Sequence, residues 1–284
     1  MRRLAGAFLA AVVLLPADAP RAAGRVVSIG GAVTEIAYAL GAGDALVAVD
    51  STSTFPPEAG KLPDVGYMRA LSAEPIAALR PDLVLAVEGS GPAAALRQIG
   101  QAGLRLELID EEPGVDAVLT RIGRVAALLD REQEGERLAA KVAGELERAG
   151  ALVARATGRP RVLFVLGAGR GAPQAAGQDT AAARIIGLAG GVNAIEGYDG
   201  YKPLSAEAAV AAAPDVILAM DATVEALGGA APMLDLPELR QTPAARAGRL
   251  VAMDGLLLLG FGPRTGQAVE SLARALHPEL GDQG

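Results

Sequence analysis

One sixteen-residue unit is present twice in this chain. Leu71–Ala86, LSAEPIAALRPDLVLA, aligns without a gap on Leu204–Ala219, LSAEAAVAAAPDVILA, with nine identities at a constant offset of 133. Each copy reads as a helix start, a short apolar helix, a Pro-Asp break and a strand. Ser72 stands at the first N-cap position, and Glu74 and Glu207 fall in the first turns, where a carboxylate meets the positive end of the helix dipole. Pro75 occupies a first-turn position where its missing N–H costs little. Leu83–Val87 then runs without a polar residue, as a parallel strand buried on both faces does. The copies lie in opposite halves of the chain, so the simplest architecture is two similar α/β lobes.

The rest of the chain is legible around these units. Arg25–Ile29 predicts a strand opening into Gly30-Gly31, a helix through Leu40 and a second strand at Leu46–Val49. In such sheets ligands sit beyond the carboxyl ends of the strands. Glu88–Pro92 is a strand-end loop placed to approach a ligand, and a strand over Leu104–Ile109 closes the first lobe near Pro113. From Val115 to Ala156 the pattern is helical, with a break at Asp130. Within Arg131–Ala156 the apolar residues Leu138, Val142, Leu146, Ala149 and Val153 recur every three or four positions. A helix of that length spans roughly 39 Å at about 1.5 Å per residue, enough to connect two lobes. The second lobe follows with a strand at Arg161–Leu166, a helix over Thr180–Ala189, strands near Val216–Met220 and Leu250–Met253, and a helix from Pro263 to Leu276. The run Leu256–Leu259 reads as core. The predicted fold class is therefore α/β: two Rossmann-like lobes, residues 25–113 and 159–284, joined by one long interdomain helix within a segment over 114–158.

Composition narrows the setting. Met1–Leu15 carries Arg2, Arg3 and an apolar run too short to span a bilayer, followed by Pro16 and small residues, which predicts a signal peptide over residues 1–24. Removing it, with three arginines and one aspartate, takes the net charge from −7 to −9. That acidity argues against nucleic acid and anionic membrane as partners. The chain has no cysteine, which excludes disulfides, zinc-thiolate sites and attachment of lipid to an N-terminal Cys. The expectation is a monomer in the periplasm, without direct membrane insertion.

Several classes of chemistry lack the residues they need. Gly167–Gly177 is glycine-rich but has neither the Gly-Lys-Ser/Thr ending of a phosphate loop nor dinucleotide spacing. There is no nucleophile elbow, no metal-spaced His pair and no second carboxylate near Glu74, so a binding protein rather than an enzyme is expected.

The paired LSxE…PD segments, with the YMRALS start of the first and the GYKPLS start of the second, resemble the haem-binding periplasmic proteins of bacterial ABC importers. These belong to a helix-linked class shared with cobalamin and ferric-siderophore binders, which supply the alternative ligands. The resemblance covers roughly Arg25 to Leu276. It implies capture of haem between the lobes, delivery to an inner-membrane ABC permease, and docking of Glu74 and Glu207 onto permease arginines, one per lobe. Read alone, the same two glutamates are helix caps.

Haem iron takes His, Cys, Met or Tyr as an axial ligand. The only histidine, His277, lies beside Pro278 near the end of the chain and reads as a solvated tail residue. A phenolate suits ferric iron, although a free phenol ionises only near ~10. The family carries its ligand at the tyrosine of the YMRALS segment, which makes Tyr67 the iron ligand expected here. Arg69, two residues on, is placed to donate to the phenolate or pair with a propionate. Without the resemblance, Tyr67 reads as a loop tyrosine covering the edge of the core. Tyr201 and Lys202, near the matching place in the second lobe, read either as the opposite wall of the haem site or as surface residues. Some relatives carry a histidine in the glycine-rich segment of the second lobe, and Leu166–Gly177 has none. With aromatics at only 3% and no Trp, the porphyrin faces are expected to meet Ala, Leu, Met and glycine backbone.

Overall fold

A computed structural model describes residues 24–167 and 172–281. The signal peptide expected over 1–24 therefore lies almost wholly outside the described residues, as does the middle of the glycine-rich segment.

The first lobe is a four-stranded parallel sheet in the order β2-β1-β3-β4, built from β1 (Val26–Ile29), β2 (Leu46–Val49), β3 (Leu83–Val87) and β4 (Leu106–Ile109). The strand β3 pairs on both sides, and all five of its residues are buried, as its apolar run requires. Helices α1 (Gly31–Ala39), α2 (Ala73–Ala78) and α3 (Ala93–Gln101) connect the strands. The second lobe carries a six-stranded sheet in the order β10-β9-β5-β6-β8, with β7 also pairing β5. Its strands are β5 (Arg161–Leu166), β6 (Gln174–Ala176), β7 (Val192–Asn193), β8 (Tyr201–Pro203), β9 (Val216–Met220) and β10 (Leu250–Met253). Here β6 runs antiparallel to both β5 and β8. The second repeat unit thus enters from a strand, whereas the first enters from a turn.

Between the sheets lie α4 (Val115–Leu128) and α5 (Glu132–Val153). The break between them falls at Asp130, whose φ of 53° takes the chain out of the helix. At 22 residues, α5 spans about 33 Å. It buries Leu138, Val142, Leu146 and Ala149 and is packed by α4 on one side. On the other side lies α12 (Thr265–Leu276), which approaches closely because Gly266 has no side chain: a Cβ there would sit 2.8 Å from that of Glu145. Helices α6 (Ala181–Leu188), α7 (Ala206–Ala212), α8 (Asp221–Ala226), α9 (Ala230–Leu234), α10 (Pro243–Arg246) and α11 (Gly255–Leu259) complete the second lobe.

Strand alternation in β5 divides the core in two. Val162 and Phe164 join an apolar cluster that continues through Val142 and Val125 to Leu85 in the first sheet. Leu163 and Val165 face a second cluster with Ile217 and Met233. The two lobes therefore share one apolar core where they join. Polar contacts add to it. Glu35 on α1 accepts two hydrogen bonds of 2.9 Å from Arg264, just before α12, and that guanidinium lies 3.6 Å from the Phe55 ring centroid. The buried Arg121 donates to the carbonyls of Asp110, Glu112 and Phe261.

Two expectations are corrected. His277 is not solvated but 2% exposed, because the turn at Pro278–Leu280 folds back and buries Leu280 over the end of α12. The Leu256–Leu259 run is not uniformly core: it forms α11, in which Leu258 is buried while Leu256 and Leu259 stay partly open. One helical turn cannot hide all four leucines on one side.

Candidate functional site

A cleft of about 680 Å³ opens at the carboxyl ends of β1, β3, β5 and β9, between the lobes. That volume is in the range of small-molecule sites. Behind its lining, the buried carboxylate of Asp50, at the end of β2, holds the lining residues Gly30 and Thr52 in place. Asp50 accepts from the Gly30 amide (2.8 Å), from the Thr52 amide and hydroxyl (3.1 and 2.7 Å) and from the Ser53 hydroxyl (2.8 Å), which fixes the start of α1 against the Thr52 loop. A Cβ on Gly31 would lie 2.5 Å from both Leu256 Cδ1 and the Thr52 carbonyl oxygen. Glycine at this position lets α11 of the second lobe meet α1 of the first.

Tyr67 and Arg69 enter the cleft from a turn in which the Ala70 amide donates to the Tyr67 carbonyl at 2.8 Å. Met68 and Leu71 are buried and anchor that turn. The Glu88–Pro92 loop supports it from outside, through Gly91 to Met68 and Leu71 to Gly91 backbone bonds of 2.9 and 2.8 Å, rather than lining the cleft as the sequence suggested. Tyr67 is 46% exposed, its ring displayed rather than packed over the core edge.

On the opposite wall the structure brings Tyr201 into the same cleft, edge-on to Phe164 at 6.3 Å between ring centroids. Burial pushes its phenol above the usual range, while hydrogen bonds with the Ala182 amide and Thr180, and the Arg69 guanidinium across the cleft, pull the other way. Lys202 is not part of this wall. Successive residues of β8 point to opposite faces, so Lys202 turns away and lies 4.6 Å from the Tyr198 ring centroid. The offset of 133 between the repeats carries Arg69 onto Lys202, yet the two are placed differently, since Arg69 sits in a turn and Lys202 on a strand.

The remaining lining was not singled out from the sequence. Met68, Met220, Leu256 and Leu259 supply an apolar surface. Among the described residues Arg69 is the only lining cation, against the carboxylates of Glu111, Asp179, Asp221 and Asp254. Asp254 is engaged as N-cap of α11, and Asp221 accepts from the Ala222 amide, each at 2.7 Å. Glu111 lies 3.9 Å from Arg69. Desolvation pushes its carboxyl above the ordinary range, and Asp50 adds to the rise; Arg69 and then Arg121 oppose it.

Glu74 and Glu207 are exposed, in the first turns of α2 and α7. Ser205 caps α7 through the Ala208 amide at 3.1 Å, whereas Ser72 has the N-cap backbone geometry without the side-chain bond. Among the described residues no group of three or more His, Cys, Asp or Glu forms a metal cluster, and no helix is long and apolar enough to cross a membrane.

The chain belongs to the periplasmic binding protein family, whose model matches residues 26–256. It is similar over 90% of its length to the periplasmic heme-binding protein RhuT from Roseiflexus sp. RS-1, at 45% identity and a TM-score of 0.87, covering 99% of that chain. The heme-binding protein BhuT, in complex with two hemes, is similar over the same share of both chains, at 44% identity and a TM-score of 0.86. A vitamin B12-binding protein of Yersinia pestis is 38% identical over 129 residues. That match spans 45% of this chain and 42% of the relative's own length.

Proposed function

We propose that this protein captures haem in the cleft between its lobes and delivers it to an inner-membrane ABC permease, acting as a monomeric binding protein and not as an enzyme. The periplasm is its place, reached through the signal peptide over residues 1–24. The observation that carries the reading is the phenol of Tyr67, displayed in a cleft that Met and Leu side chains give an apolar surface, with Arg69 on the same turn. Likeness at 44–45% identity to two heme-binding proteins, over nine-tenths of the chain, supports it.

In this reading Tyr67 is the axial ligand from the first lobe. Ferric iron favours the phenolate over the phenol, and Arg69 adds a positive charge nearby or pairs with a propionate. Tyr201 closes the opposite face. Lys202 stays outside the site. Glu74 and Glu207 face solvent without an ion-pair partner among the described residues, which leaves both free to meet arginines of the permease.

The partial match to vitamin B12-binding proteins motivates one second reading, a cobalamin cargo. Titrating the purified protein with haemin and with cyanocobalamin separates them. Saturable binding of haemin with a shifted Soret band, and weaker binding of cobalamin, is the expected result. Tight cobalamin binding, with a haemin spectrum no different from that of free haemin, overturns the proposal.

A further inference from the structure

We infer that Glu111 and the carboxylates of the bound ligand compete for Arg69, so that filling the cleft frees Arg69 from Glu111 and delivers a proton to Glu111. This rests on the reading of the cleft as a haem site, since haem brings two propionates to it.

The geometry supplies the competition. Glu111 stands just past the end of β4, at the carboxyl edge of the sheet where ligands of such folds lie. The Arg69–Glu111 contact of 3.9 Å is within ion-pair range but too long for a hydrogen bond, and the two side chains are 58% and 43% exposed. A pair so loosely held exchanges readily for a closer anion. Asp221 and Asp254 already accept backbone amides, and of the lining carboxylates only Glu111, which has no hydrogen bond within the described residues, pairs with Arg69 there. The next nearest cation cannot replace Arg69: Arg121, on α4, is buried and spends its guanidinium on three backbone carbonyls. The charged groups that face Glu111 are thus Arg69 from the turn before α2, Arg121 from α4 and Asp50 from the end of β2.

When a propionate takes Arg69, Glu111 loses the larger of the two charges that favour its ionised form. Desolvation and Asp50, which both favour the neutral acid, remain. Glu111 then takes up a proton, and its protonated oxygen becomes a donor facing the ligand. The sign follows from linkage. Binding that takes up a proton tightens as pH falls and weakens as pH rises through the range where the bound form holds more protons than the free form, by at most about tenfold per pH unit.

The test is a haemin titration, read at the Soret band between pH 5.5 and 8, of the wild type, Glu111→Gln, Arg69→Met and the double variant. Haemin's own ionisations and the proton that Tyr67 gives up on ligation are common to all four. The expected result is that Glu111→Gln binds haemin tighter than wild type, by a factor that grows with pH, and that this gain vanishes on the Arg69→Met background. A second measurement reads the proton itself: calorimetry of haemin binding in two buffers of different ionisation heat should show that wild type takes up more protons, or releases fewer, than Glu111→Gln, the proton that Tyr67 gives up on ligation being common to both. Equal pH slopes for wild type and Glu111→Gln, or the same proton count on binding for the two, overturns the inference while leaving the haem reading standing. No saturable haemin binding by wild type at any pH overturns both.

Discussion

The ion pair between Glu35 and Arg264 joins the first lobe to the C-terminal helix, and its two halves are not equivalent. Glu35 is 5% exposed and Arg264 19%, with the guanidinium also stacked on Phe55. Replacing Arg264 by Met leaves a buried carboxylate without its partner, a loss of about 3–5 kcal/mol. Replacing Glu35 by Gln leaves a neutral acceptor against a cation that keeps the Phe55 face and some solvent, which costs about 1–2 kcal/mol. Unfolding entropy is about 2.1 cal/mol/K per residue near 60 °C, so the roughly 260 residues that follow residue 24 change their Tm by about 2 °C per kcal/mol. The expected losses are therefore about 5–9 °C for Arg264→Met and about 2–4 °C for Glu35→Gln. The double variant should lose less than the sum, because each partner's penalty is largely the other's isolation. Differential scanning calorimetry at pH 7 measures all three. Equal losses for the two single variants, or a strictly additive double variant, would refute the idea that one buried pair clamps the first lobe to the start of α12.

Two further outcomes are expected. Gly31→Ala places a Cβ against Leu256 and the Thr52 carbonyl, so α11 must shift out of the cleft; stability should fall by about 1–3 kcal/mol and haemin affinity with it, and an unchanged affinity would show that α11 does not form the wall. Replacing Glu74 and Glu207 together by Gln should leave haemin binding unchanged and cost little stability, since each contributes about 0.3–1 kcal/mol through its helix dipole. Transport in a reconstituted importer should drop sharply, more than for either single variant; transport equal to wild type would reduce both residues to helix caps.

What could be read in advance followed how local the physics is. The repeated units announced β3 and β9 because a strand buried on both faces must be apolar at every position, and Leu83–Val87 and Val216–Met220 are. The α4–α5 break at Asp130 was visible because the apolar spacing on either side is a helical signal. The strand β8 was not visible. Tyr-Lys-Pro is too short to show alternation, and its pairing with β6 comes from residues 25 or more positions away, so the direction of Lys202 was not legible. Glu111 carries no local mark either, since its role comes from a turn that brings Arg69 beside it. Leu256 and Leu259 look like core in any window of sequence, and only the approach of the other lobe at Gly31 makes them cleft wall. His277 is buried by a fold-back that a Pro beside the helix end does not announce.

The central claim is that Tyr67 binds the iron. Haemin titrated into Tyr67→Phe, beside wild type, tests it directly, because the substitution keeps the ring and removes only the oxygen donor. The expected wild-type spectrum is that of ferric haem bound to a phenolate, with a charge-transfer band in the visible. In the variant that band should disappear and affinity should fall at least about tenfold, the lower end of what loss of even a supporting group costs a metal site. An identical spectrum and affinity in Tyr67→Phe would contradict the claim and move the ligand elsewhere in the cleft.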